Sequence, residues 1–189
     1  MPRPPILKTI DWKKVFNTGI DFKTWLGDCE NPEHVRKMHS SAASIELDER
    51  DLDILGEVHR DIHIVAIAED WCGDVVRHVP VLEQLVRNSS RLRVRYITRD
   101  QHRDVFARYL TNGGESIPKF IFLNDQYVEC GNWGPMPNDC RRLIACGKAC
   151  GNVAVFREKV NELYKADGRF RAVIQELLDL IQIASTLGP

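Results

Sequence analysis

A chain of 189 residues in which 26 Lys and Arg meet 27 Asp and Glu carries a formal net charge of −1, a balance that excludes a polybasic binder of nucleic acid or of a membrane surface. Its 43% hydrophobic and 28% charged content belongs to a globular protein able to bury a core, not to a disordered or collagenous chain. The longest nearly apolar stretch, Ile62 to Ala68, is interrupted by His63 and falls far short of the ~20 residues that a bilayer span needs.

Ile6-Leu7-Lys8-Thr9-Ile10, after Met-Pro-Arg-Pro-Pro, is too short and polar for the apolar region of an export signal. The expected compartment is therefore the cytoplasm. The length suits a single domain over residues 1–189, divided into a helical N-terminal extension (1–58), a core (59–136) and C-terminal helices (137–189).

Residues 1–58 read as short helices with clear start signals. Asp21 precedes Phe22-Lys23-Thr24-Trp25-Leu26, and Asn31-Pro32-Glu33 supplies a cap, a first-turn proline and an acid for the positive end of the helix dipole. Asp48 can cap Glu49 to Arg60, where Leu52, Leu55 and Val58 recur at helical spacing.

The pattern then becomes alternating strands and helices. His63 to Ala68 suits a buried parallel strand, and Val75 to Val86 follows with Val76, Val79, Leu82, Leu85 and Val86 on one stripe. Arg91 to Tyr96 alternates with period two, its arginines serving to blunt an edge strand, and Gln101 to Leu110 predicts another helix. Lys119 to Leu123 and Tyr127 to Cys130 flank Asn124-Asp125-Gln126, a hairpin signature. This order yields two parallel strands joined by a crossover helix, then an antiparallel pair. Pro137 to Gly151 and Asn152 to Ala166 are helical in tendency, with Gly147 and Gly151 as interruptions, and Asp167-Gly168 precedes a last amphipathic helix from Arg169 to Leu187.

Chemistry concentrates at Glu69-Asp70-Trp71-Cys72-Gly73-Asp74-Val75, where the first strand ends and a helix begins. A cysteine at that junction meets unpaired N–H groups and the positive end of the helix dipole, both of which favour thiolate over thiol. Position thus makes Cys72 the best nucleophile among six cysteines. Here the sequence resembles the thioredoxin superfamily, whose active site is Trp-Cys-Gly-X-Cys at a strand-to-helix turn. Pro80, eight residues after Cys72, matches the proline that kinks the active-site helix of that superfamily. Ile117-Pro118 matches its cis-proline, and Gly134 falls near the glycine after its last strand. With Tyr109-Leu110-Thr111-Asn112-Gly113-Gly114 and Trp133-Gly134-Pro135, the chain is most similar to a bacterial branch with a WCGD site and an N-terminal helical extension. The resemblance covers roughly Asp61 to Gly134.

It implies a thioredoxin-like α/β fold, a central mixed sheet flanked by helices with helical additions at both ends. It implies thiol–disulfide oxidoreductase activity through Cys72, with Ile117 and Pro118 as a shelf for an extended substrate segment and Trp71 as an apolar wall. Gly73 and Val75 are expected to offer backbone donors to the sulfur, and Asp74 completes the substrate-binding set. Two departures qualify this. Val75 stands where the resolving cysteine belongs, making Cys72 a monothiol that needs an external or distant second thiol. Ala66 stands where a buried acid usually assists proton transfer. Asp74, with Glu69 and Asp70 nearby, opposes a thiolate, so only modest acidification of Cys72 is expected. The partner would be a protein or low-molecular-weight disulfide, with no nucleic acid, membrane, cofactor or metal.

The competing reading is a partner-binding module that uses the groove near Trp71 and Pro118 without turnover. Cys146 and Cys150 at i, i+4, with Cys140 ten residues before Cys150, do not form a paired zinc signature; packing is their expected role, metal the alternative. Cys130 is expected to pack in its strand, and the six histidines show no catalytic pattern. His34 and His39, five apart, are expected to be solvated.

Overall fold

The computed structural model describes residues 8–186; Ile6 and Leu7 of the stretch weighed as an export signal, and the expected helix end at Leu187, lie outside them. Four short helices come first: α1 (Trp12–Thr18), α2 (Phe22–Gly27), α3 (Pro32–Ser44) and α4 (Glu49–Gly56). Each starts at a carboxylate or amide that accepts from the first turn, as Asp21 does from the Thr24 N–H at 2.8 Å and Asn31 from the Glu33 N–H at 3.0 Å. Asp48 and Asp51 cap reciprocally, each side chain accepting from the other's backbone N–H.

The core elements follow as β1 (Ile62–Ile67), α5 (Gly73–Arg87), β2 (Leu92–Ile97), α6 (Arg103–Phe106), β3 (Lys119–Leu123) and β4 (Glu129–Trp133). The sheet order is β2-β1-β3-β4, with β1 and β2 parallel and the other two pairs antiparallel. β1 and β3 are central and almost wholly buried, which explains their uninterrupted apolar character. β2 is an outer strand, as its arginines predict. Its free side is partly closed by Ile20, which exchanges two backbone hydrogen bonds with Tyr96 at 2.8 and 3.0 Å.

Side-chain alternation sorts the helices into two layers. Ala66, Tyr96, Phe120 and Trp133 are paired neighbours, and the Trp133 ring meets His78 of α5, so this face looks toward α5. His63 has the opposite parity and packs against Phe16 of α1 and Tyr127. After β4 come α7 (Asn138–Ala149), α8 (Val153–Ala166) and α9 (Arg171–Thr186). α9 buries Val173, Ile174, Leu177, Leu178, Ile181 and Ala184 against β4, β3, β1 and α5, and is thus part of the core layer. Arg171 on it clamps the buried carboxylate of Asp51 in α4, with Nη2 at 3.0 Å from Oδ1. No helix among the described residues is long and apolar enough to cross a membrane.

Several boundaries differ from the sequence-based ones. α6 is one turn long rather than spanning Gln101 to Leu110, and α4 ends at Gly56, before Arg60. β4 begins at Glu129, two residues after the expected start, because Asn124 Oδ1 accepts from the Gln126 and Val128 N–H groups and holds a longer turn. Gly147 does not interrupt α7. It is buried inside it, and a Cβ there would come 2.9 Å from the Phe156 Cβ, so it lets α7 and α8 close against each other as an antiparallel pair.

Candidate functional site

Cys72 is the extended residue immediately before α5, with φ −88° and ψ 122°. β1 delivers the chain to this point and α5 leaves from it, so the sulfur sits at the helix end that the sequence predicts. Its thiol donates to the Ile117 carbonyl at 3.4 Å. The Ile117–Pro118 peptide is cis. Gly134, at φ 118°, lies against the Pro118 backbone so closely that a Cβ would collide with it.

The electrostatics differ from the expected acidification. Burial pushes the Cys72 thiol up; the backbone N–H groups of Val75 and Asp74 act in the opposite direction, the Asp74 charge adds to the rise and Arg99 opposes it. Val75, one of the two expected backbone donors, thus acts on the thiol in the expected sense, together with Asp74. Val75 itself is fully buried and can offer only its backbone. Pro118, Ile117 and Pro135 are all buried; of the three, Ile117 and Pro135, whose own peptide with Gly134 is cis, line the cavity at Cys72.

The loop before Cys72 is anchored on both sides. Asp70 accepts from the Glu30 and Asn31 N–H groups at 2.9 and 3.2 Å, and His34 Nδ1 lies 2.6 Å from the Asp70 carbonyl. His34 is therefore half-buried and structural rather than solvated. Glu69 binds Arg99 at 2.8 Å, and the Arg99 guanidinium lies 4.9 Å from the centre of the Trp71 ring. Trp71 remains 59% exposed.

Under the groove, Asp74 accepts from the Tyr164 hydroxyl at 3.0 Å, and Tyr164 lies 3.2 Å from His78 Nε2. The hydroxyl has one proton, so His78 must donate through Nε2, and its Nδ1 is buried without a partner. Burial, then the Arg77 charge, pushes His78 down to about 3. Burial pushes the Asp74 carboxyl up, with Tyr164 and Arg157 acting against the shift.

A cavity of about 660 Å³ opens at Cys72. Trp71, Ile117, Pro135 and Met136 form its near side, joined by Gly73 and Asp74. Its far side consists of Arg141, Ile144 and Lys148 of α7 and Arg157, Asn161 and Tyr164 of α8. The sequence reading missed that far side, although both sets are spaced to share one helical face, at i, i+3, i+7 and i, i+4, i+7. The remaining cysteines are all free thiols. Cys140 is buried, while Cys146 and Cys150 are exposed, so the packing role expected of all three applies to Cys140 alone. Burial and nearby carboxylates push Cys29 and Cys140 up to about 11, and Cys130 is half-buried on β4.

The sequence matches the thioredoxin family model over residues 19–162. This chain belongs to the thioredoxin family. Two solved structures are similar to it in fold. One is a protein of unknown function from Pseudomonas aeruginosa, with TM-score 0.73 and 16% identity over 92% of this chain and 98% of that one. The other is an HIV epitope-scaffold, with TM-score 0.72, 16% identity and the same coverage. No curated protein matches the sequence. With 92% of this thioredoxin-family chain covered in both cases, the shared fold extends beyond residues 59–136 into the helical additions.

Proposed function

We propose that this thioredoxin-family protein is a monothiol thiol–disulfide exchange protein acting through Cys72. The observation that carries the reading is the half-buried Cys72 sulfur, at the start of α5 and 3.4 Å from the Ile117 carbonyl, opening onto a groove fit for a peptide segment. Cys72 loses its proton to solvent, and the thiolate attacks one sulfur of a disulfide R–S–S–R′. The Cys72–S–S–R bond forms as R′S⁻ leaves. With Val75 in place of a neighbouring thiol, an external thiol attacks the Cys72 sulfur and expels RS⁻, and a second equivalent regenerates Cys72. The net change is reduction of one disulfide and oxidation of two external thiols, such as glutathione. Trp71 and Ile117 would flank the substrate, Asp74 and Val75 N–H groups would face the sulfur, and a reducing cytoplasm would suit six free thiols.

Incubation with a peptide mixed disulfide tests this. Mass spectrometry should find a peptide on Cys72, released by glutathione and formed faster than any on Cys146 and Cys150, the exposed thiols that remain in Cys72→Ser. A Cys72→Ser protein that exchanges as fast as the native one would defeat the assignment.

The raised thiol favours a second reading, a binding module that holds its partner in the same groove without turnover. On that reading Cys72→Ser retains full affinity for the peptide and the native protein forms no adduct on Cys72.

A further inference from the structure

The groove at Cys72 carries a charge that the chain as a whole does not. The protein is nearly neutral, at −1, yet four cations, Arg77, Arg141, Lys148 and Arg157, line this groove against two carboxylates, Asp74 and Glu115. Both carboxylates are already engaged. Glu115 lies 3.9 Å from Arg99, and Asp74 accepts from Tyr164 at 3.0 Å. Arg141 and Lys148 donate to the backbone carbonyls of Gly134 and Asn112, at 3.5 and 2.9 Å. Those contacts position the two side chains without neutralising them. Among the described residues no ion pair compensates Arg141, Lys148 or Arg157. Lys37, Arg103, Arg142 and Lys165 each have a carboxylate one helical turn away; Arg141, Lys148 and Arg157 have none and are gathered in one groove. The unpaired ones face the reactive sulfur across a cavity of about 660 Å³, a volume suited to a few residues of extended chain.

We infer that α7 and α8 make this groove selective for a peptide whose disulfide-bonded cysteine is flanked by acidic side chains. The inference rests on the exchange reading above and adds the substrate class. Ile117 and Trp71 would take the backbone and apolar parts of the segment, while Arg141, Lys148 and Arg157 would meet its carboxylates. Such charge complementarity raises the rate of encounter and rejects like-charged segments. The chemical step is the exchange already described, with the peptide sulfur joined to Cys72 and the other sulfur leaving.

The test uses three short synthetic peptides that carry one cysteine as a 2-thiopyridyl disulfide, flanked by Glu, Gln or Lys. Attack by Cys72 places the peptide on the protein and releases 2-thiopyridone, a neutral leaving group whose absorbance, less that released by Cys72→Ser through the exposed Cys146 and Cys150, reports the rate. The Glu peptide should transfer about ten times faster than the Lys peptide at low salt, with Gln between them, and the gap should narrow at ~0.5 M salt. The double variant Lys148→Glu/Arg157→Glu should invert the order. Lys159→Glu/Lys165→Glu, an equal charge change on α8 outside the groove, should keep it. Equal rates for the three peptides, or an order that survives the double variant, would overturn the inference. If no peptide transfers to Cys72, the exchange reading fails on its own. The same peptides with Ser in place of Cys, followed by fluorescence anisotropy, then decide the charge preference: tighter binding of the Glu peptide supports it and equal affinities refute it.

Discussion

Gly134 and Pro118 are pressed together so closely that a Cβ on Gly134 would collide with the Pro118 carbonyl. The contact places the end of β4 directly behind the segment whose Ile117 carbonyl meets the Cys72 sulfur. Gly134 also holds φ 118°, a conformation that L residues rarely adopt. Gly134→Ala is therefore expected to lose about 2–4 kcal/mol of stability, read as a lower urea midpoint. A loss below ~0.5 kcal/mol would show that the two segments can separate freely.

The Cys72 thiol should titrate above an unperturbed cysteine, because burial outweighs the helix-end donors. Its iodoacetamide alkylation rate, followed against pH, should have a midpoint above ~8.5, the ordinary thiol value. Asp74→Asn removes a charge that raises the thiol and should move the midpoint down. A midpoint near 7 in the native protein would mean that the helix dipole dominates instead.

His78 is buried and pushed down to about 3, well below its unfolded value of 6.5. The unfolded chain therefore binds the extra proton first as pH falls. Stability from this group is complete above pH 6.5 and declines on acidification through the interval down to about 3. His78→Gln should flatten that part of the Tm profile, although its Tm near neutral pH falls. A native profile with no slope between pH 6 and 4 would contradict the neutral buried imidazole.

Two helical glycines should respond with opposite signs. Gly147→Val places carbon atoms where Phe156 stands, and should cost about 1–3 kcal/mol as α7 and α8 are forced apart. Gly56 has no atom within 4 Å of its would-be Cβ, so Gly56→Ala should stabilise by about 0.4–1 kcal/mol. Thermal melts of the two variants check both directions.

Much of this was legible before any coordinates. The caps at Asp21, Asn31 and Asp48 all accept the expected first-turn N–H groups, because capping is decided within four residues of chain. The β1-α5-β2 crossover and the β3-β4 pair follow from side-chain periodicity, and the strand-to-helix junction singled out Cys72. Boundaries were less secure where a side chain competed with the ladder, as Asn124 does at the hairpin.

By itself the sequence determined the order of strands and helices and the place of Cys72 at a strand-to-helix junction with Val75 three residues on, features carried by local spacing, and its resemblance to thioredoxins implied the fold. Tertiary structure alone decided the rest. Burial reversed the expected acidification of Cys72, since desolvation depends on which distant segments cover the sulfur. The α7–α8 pair became a cationic wall of the groove because Gly147 lets the two helices close, which brings Arg141, Lys148 and Arg157 opposite a cysteine some 70 to 85 residues earlier in the chain. Charge on a helix face is visible in sequence; what that face looks at is not.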